Sequence, residues 1–172
     1  LPERIVMTEK MKVHYSSTTN EWATPNDLFE ALNDEFGFTL DPCATDENHK
    51  CDKYYTKETN GLSKNWKDEV VFMNPPYGRA IGKWVEKAYM EYNFNDATVV
   101  CLIPARPDTR YWHDYIFPYA SEIRFLKGRV KFGDGVAGAP FPSAVVIFGE
   151  IDRRYYDTTN QYRIGSYLCY RR

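Results

Sequence analysis

The tetrapeptide Asn74-Pro-Pro-Tyr77 carries the sharpest chemical signal in the chain. Two successive prolines fix the backbone and remove two N–H donors. They leave the Asn74 side-chain oxygen and the Pro75 carbonyl as acceptors aimed in one direction. Such a pair suits a planar exocyclic amine with two hydrogens to give. Tyr77 then offers a flat ring on which an aromatic base can stack, with a hydroxyl at its tip. An amine of this kind is a poor nucleophile, because its lone pair is conjugated into the ring. Fixed acceptors on its hydrogens localise that lone pair and stabilise the positive charge that grows as nitrogen attacks. The bland alternative is a rigid proline turn that only ends a strand.

The elements around the tetrapeptide must place it. Glu69–Met73 reads as a buried strand that stops at Asn74, since neither strand nor helix continues through two prolines. Phe38–Leu40 is a short strand running into the polar loop that begins at Asp41. Lys53–Thr56 is a second short strand. Leu28, Phe29, Leu32 and Phe36 recur at helical spacing, so Asn26–Phe36 is a helix, with Thr24 as its N-cap, Pro25 at its first position and Gly37 at its end. Ile81–Asn93 is an amphipathic helix. Ala97–Ile103 is the most apolar strand and belongs in the centre of a sheet. Asp108–Tyr119 reads as a helix capped by Asp108. Glu122–Leu126 and Ser143–Phe148 are strands with no helix between them, joined through the Gly-rich stretch Gly133–Pro142. Strands alternating with helices until the last two predict an α/β fold, a mostly parallel sheet ending in an antiparallel strand pair. Ligand sites in such sheets lie at the carboxyl ends of strands, where both Asp41 and Asn74 fall. Residues 1–20 are polar and lack periodicity and are expected to form a tail. Residues 21–150 are then one catalytic domain, and 151–172 a basic, Tyr- and Arg-rich extension.

Composition bounds the partners. The 172 residues carry a formal charge of −2, and no apolar run reaches the ~18 residues of a membrane span. That balance argues against indiscriminate nucleic-acid binding. From Ala120 to Arg172, however, 9 Lys and Arg face 5 Asp and Glu, a basic third able to meet phosphates. Within it Lys127, Arg129 and Lys131 alternate beside the Gly-rich stretch and are the candidate phosphate contacts. The four cysteines, Cys43, Cys51, Cys101 and Cys169, match no disulfide framework, which suits a reducing cytoplasm. Cys43, His49 and Cys51 lack the paired spacing of a zinc site, so no metal is expected. Trp66, Trp84 and Trp112 read as core, and His113 as a packing or surface residue. Arg106 and Asp108 follow a strand end, where a functional role is open.

Further pieces extend the pattern: Trp22-Ala-Thr-Pro25 with Leu28-Phe29; Leu40-Asp-Pro-Cys-Ala44 with Asn48 and Cys51; Gly61-Leu62 with Trp66; and Phe72-Met-Asn-Pro-Pro-Tyr-Gly78. Trp84-Val-Glu-Lys-Ala88, Leu102-Ile-Pro-Ala105, Gly128-Arg129 with Phe132, and Phe141-Pro-Ser143 complete the set. In this order, over about Glu21 to Gly149, the chain resembles the phage DNA N6-adenine methyltransferase family.

The resemblance implies a compact Rossmann-like methyltransferase fold and the cofactor S-adenosylmethionine. It implies that Asn74, Pro75, Pro76 and Tyr77 form the catalytic loop. Asp41 would meet the methionine part of the cofactor, in a loop with Pro42, Cys43 and Ala44, while Thr24 and Pro25 close over it and Asn74 borders it. The substrate would be an adenine flipped out of DNA, and the biological role protection of phage DNA from host restriction. The chain departs from methyltransferases at large in one respect: the loop after the first strand, Asp41-Pro-Cys-Ala-Thr45, has no glycine. The separation of Asp41 and Asn74 leaves room for about one strand. Related tetrapeptides also serve enzymes that methylate RNA or a protein glutamine amide, and a module that binds cofactor or DNA without turnover is a third reading. A monomer and a homodimer both fit the sequence.

Overall fold

A computed structural model describes residues 22–133 and 136–151, and the backbone of Ser166–Tyr167. The expected residue 1–20 tail lies outside the described residues, as does most of the 151–172 extension.

The helix α1 (Asn26–Phe36) ends at Gly37, whose φ of +66° lets its N–H return to the Asn33 carbonyl at 2.8 Å. Strand β1 (Leu40–Asp41) follows, then β2 (Lys53–Tyr54) and a 3-10 turn (Gly61–Ser63). Strand β3 (Val70–Met73) stops at the prolines, and α2 (Ile81–Asn95) returns the chain to β4 (Thr98–Pro104). A π-helical turn (Trp112–Ile116) runs into the short α3 (Phe117–Tyr119). Strands β5 (Glu122–Phe125), β6 (Ser143–Phe148) and β7 (Ser166–Tyr167) complete the order.

These strands form one seven-stranded sheet in the order β2-β1-β3-β4-β6-β5-β7. The first four are mutually parallel, and β3-α2-β4 is the crossover unit. Strand β6 inserts between β4 and β5 and is antiparallel to both. The predicted closing pair is therefore present, with β6 as the inner member. One strand, β2, lies between Asp41 and Asn74, as their separation required.

Strands β3, β4 and β6 are almost wholly buried, which explains their unbroken apolar runs. Trp66 and Trp112 are fully buried and Trp84 nearly so. The core also holds Arg124, 1% exposed, whose guanidinium grips both Glu35 oxygens (2.7 and 2.6 Å) and donates to Glu122 (2.6 Å). This fork ties α1 to β5, and the paired carboxylates offset the cost of burying the charge.

Two expected caps are corrected. Pro25 precedes the first turn of α1 with an extended ψ of 142°, and no side chain caps that helix. The Thr24 hydroxyl is engaged elsewhere, by Asn74. Asp108 caps nothing either: the turn before the π-helical segment is closed by Thr109, whose N–H and hydroxyl both donate to the Arg106 carbonyl.

Candidate active site

Leu40 pairs with Val71, so β1 and β3 lie side by side with their carboxyl ends together. Asp41 and Asn74 therefore emerge at one edge of the sheet and share a cleft of about 510 Å³. That volume lies within the range of small-molecule sites, roughly 300–1,000 Å³.

The loop after β1 is held by Asp41 itself. Its carboxylate, 4% exposed, accepts from the Cys43 N–H (3.2 Å) and the Lys50 N–H (3.0 Å). Burial raises its pKa, and these two hydrogen bonds and the Lys50 charge oppose the rise. The next turn packs against the same loop. A Cβ on Gly61 would sit 2.3 Å from the Pro42 carbonyl oxygen, so only glycine fits there. The Gly61 carbonyl accepts from the Trp66 indole (3.1 Å), and Trp66 stacks on Trp84 of α2. Trp84 in turn lines the cleft. The buried Glu91 accepts from the Trp66 N–H at 3.0 Å and holds this column from below.

The Asn74 amide is oriented from one side. Its nitrogen donates to the Trp22 carbonyl (2.5 Å) and to the Thr24 hydroxyl (2.9 Å). Its oxygen, Oδ1, is buried and has no partner. Buried acceptors are almost always paired, so an open one at a cleft wall points to a ligand hydrogen.

Tyr77 differs from expectation. It is 6% exposed, and its hydroxyl donates to the Leu102 carbonyl of β4 at 3.1 Å. Trp22 lies nearly parallel to its ring (centroids 6.4 Å apart), and Phe132 and Phe141 meet the ring edge-on. The expected open stacking face is therefore covered by apolar packing, and the hydroxyl is committed to the sheet. Burial holds its pKa well above the ordinary tyrosine value.

Among the predicted residues, Thr24, Asp41, Pro42, Cys43, Ala44, Asn74, Pro75 and Pro76 line the cleft. Pro25 and Tyr77 do not line it; Tyr77 stands behind the proline pair, in the aromatic cluster. Lys127, Arg129 and Lys131 are exposed and lie outside the cleft, while Phe132 next to them is buried in the cluster. The Gly133 N–H donates to the Ala23 carbonyl (2.9 Å), joining this basic segment to the stretch that holds Asn74. Lys50, Lys57, Asn60 and Trp84 also line the cleft and were not singled out from sequence for that role. Arg106 is exposed at the mouth of β4 with its guanidinium over the Phe141 ring, 5.8 Å from the centroid. Asp108 is exposed, as is His113, whose Nε2 lies 2.8 Å from the Pro107 carbonyl. His49 stacks on Tyr54 and bonds the Cys51 carbonyl through Nδ1. Among the described residues no group of three or more His, Cys, Asp or Glu side chains could hold a metal ion.

The family model described as DNA N-6-adenine-methyltransferase (Dam) matches residues 12–156. The chain belongs to this family. A protein named DNA N-6-adenine-methyltransferase from Escherichia phage T1 is 36% identical over 108 residues, which are 62% of this chain and 44% of that protein. A protein of the same name from Haemophilus phage HP1 is 32% identical over 120 residues, 68% of each chain. The chain thus spans less than half of the T1 relative and about two thirds of the HP1 relative. The α/β sheet with its inserted antiparallel strand is consistent with the Rossmann-like methyltransferase fold. Among the described residues no helix is long and apolar enough to cross a membrane.

Proposed function

We propose that this chain transfers a methyl group from S-adenosylmethionine to the exocyclic N6 of adenine in DNA. The observation that carries the reading is the buried, unpartnered Oδ1 of Asn74 beside a cleft, with the amide nitrogen already committed to Trp22 and Thr24. That oxygen is an acceptor the protein leaves unused, and the adenine amine brings two hydrogens.

The cleft fits the cofactor in its chemistry. Asp41 and the hydrogen-bonding groups of Thr45, Asn48, Lys50, Thr56, Lys57 and Asn60 supply polar contacts, and Pro42, Phe72 and Trp84 supply apolar wall. S-adenosylmethionine supplies an activated methyl carbon when bound. The protein supplies position and charge stabilisation. Asn74 Oδ1 accepts one amine hydrogen, and the Pro75 carbonyl takes the second. Both strengthen as the nitrogen becomes positive, and the surplus proton leaves to water after transfer. No covalent cysteine step is needed, because the nucleophile is nitrogen; burial, with the Asp41 charge, raises the Cys43 thiol pKa.

An adenine within a duplex must leave the stack, at a cost of a few kcal/mol. Trp22, which lines the cleft and packs on Tyr77, Phe132 and Phe141, offers ring surface to the extruded base. Lys127, Arg129 and Lys131 contact phosphates and set the position of the duplex. The catalytic domain is residues 21–150, with the extension beyond it adding β7 to the sheet. The free thiols and the phage relatives fit action on phage DNA in the host cytoplasm, where methylation blocks restriction.

A tritiated-methyl assay with DNA, RNA and protein side by side tests the reading. Label should enter DNA and release as N6-methyladenine on digestion. Label confined to RNA or protein overturns it.

A further inference from the structure

We propose that Thr24 is a positioning residue that acts through Asn74: together with the Trp22 carbonyl it fixes the amide nitrogen, so that the oxygen is left to face the substrate amine. The inference rests on the reading of Asn74 as the acceptor for that amine.

A primary amide is nearly symmetric in shape, so rotating it by half a turn costs little in packing. Its hydrogen-bond partners decide the orientation. At Asn74 the decision is made on the nitrogen side. The Trp22 carbonyl only accepts, so it takes an amide hydrogen. With the nitrogen side so fixed, the Thr24 hydroxyl, 6% exposed as a residue and able to accept or donate, accepts the other at 2.9 Å and sets the amide plane. Both hydrogens are then used, and Oδ1 is left aimed away from them without a partner. In the reversed orientation the oxygen would meet the Trp22 carbonyl, lone pair against lone pair. An N–H would then face the N–H of the substrate amine. Thr24 sits two residues before α1 yet does not cap it, so its hydroxyl is not spent on helix stability.

The test is Thr24→Val, which keeps the shape and removes the acceptor. Expected is a fall in kcat of about 10- to 100-fold, less than the 10²–10³ typical of removing a direct transition-state contact. The dissociation constants for cofactor and for DNA should stay within about threefold. Thr24→Ser keeps the hydroxyl and should restore kcat to within about threefold. A second readout needs no turnover: the Asn74 side-chain NH2 resonance, assigned by its loss in Asn74→Ala, should shift in Thr24→Val and not in Thr24→Ser. Should the valine variant fail to fold, Thr24→Ala carries the same expectations. Wild-type kcat and an unmoved resonance in Thr24→Val would overturn the proposal. So would a loss explained by weaker cofactor binding, because Thr24 would then be closing over the cofactor. Failure of the wild-type chain to methylate DNA at all would instead strike the reading of the site, and the resonance would still report on Thr24.

Discussion

Replacing Tyr77 by Phe separates two roles that the sequence suggests together. The ring packs among Trp22, Phe132 and Phe141, and the hydroxyl donates to Leu102 of β4. The substitution keeps the ring and deletes one buried hydrogen bond. A bond of this kind contributes about 0.5–1.5 kcal/mol net, and an acceptor left unsatisfied adds to the loss. Unfolding in urea, followed by circular dichroism, should therefore show a loss of about 1–2 kcal/mol. Methyl transfer into DNA should keep kcat within about threefold, because the hydroxyl points into the sheet and not into the cleft. Tyr77→Ala is the contrast: it removes the whole ring, should cost about 3–5 kcal/mol, and leaves the Trp22 wall of the cleft without its backing. If Tyr77→Phe remains folded and loses activity 100-fold, the hydroxyl contacts the substrate. The assignment of Tyr77 as packing would then be wrong.

Three further outcomes follow from named contacts. Gly61→Ala should displace the Pro42 loop, since the added carbon would lie 2.3 Å from a backbone oxygen; calorimetry should show weakened cofactor binding and a stability loss of about 1–3 kcal/mol. Replacing Lys127, Arg129 and Lys131 by Ala should weaken DNA binding and flatten the log–log salt dependence by about 0.9 per lost phosphate contact, which filter binding across a salt series would show. Cys43 and Cys51 have raised thiol pKa values, Cys51 up to about 12, both chiefly through burial. At pH 8 both should alkylate far more slowly than free cysteine, as peptide mass spectrometry after timed iodoacetamide exposure would reveal. Above pH ~8.5 the unfolded chain loses thiol protons that the folded chain keeps, so these groups make stability fall as pH rises.

Much of this arrangement is legible in the sequence. An apolar strand ended by two prolines has to stop there, and Asp41 after a short strand had to reach the same edge of a parallel sheet. The helix boundary at Gly37 followed from its left-handed turn. What was not legible depended on contacts distant in sequence. Thr24 has the type and place of an N-cap, and only the approach of Asn74, 50 residues on, draws its hydroxyl away. Tyr77 looks like a free stacking face until Trp22 lies over it. Gly61 reads as an ordinary turn glycine because Pro42 is not its neighbour in the chain. Two strands without a helix between them announce an antiparallel pair but not that the second inserts next to β4. Arg124 in a strand shows no sign in sequence of the buried fork it makes with Glu35.

The central claim is that Asn74 presents an acceptor to the adenine amine. It is tested most directly by sequencing that detects modified bases on plasmid DNA from cells expressing the wild-type chain or Asn74→Ala. The wild-type chain should leave N6-methyladenine at a defined sequence, and the folded Asn74→Ala variant should leave none. Modification by Asn74→Ala at near wild-type levels would contradict the account.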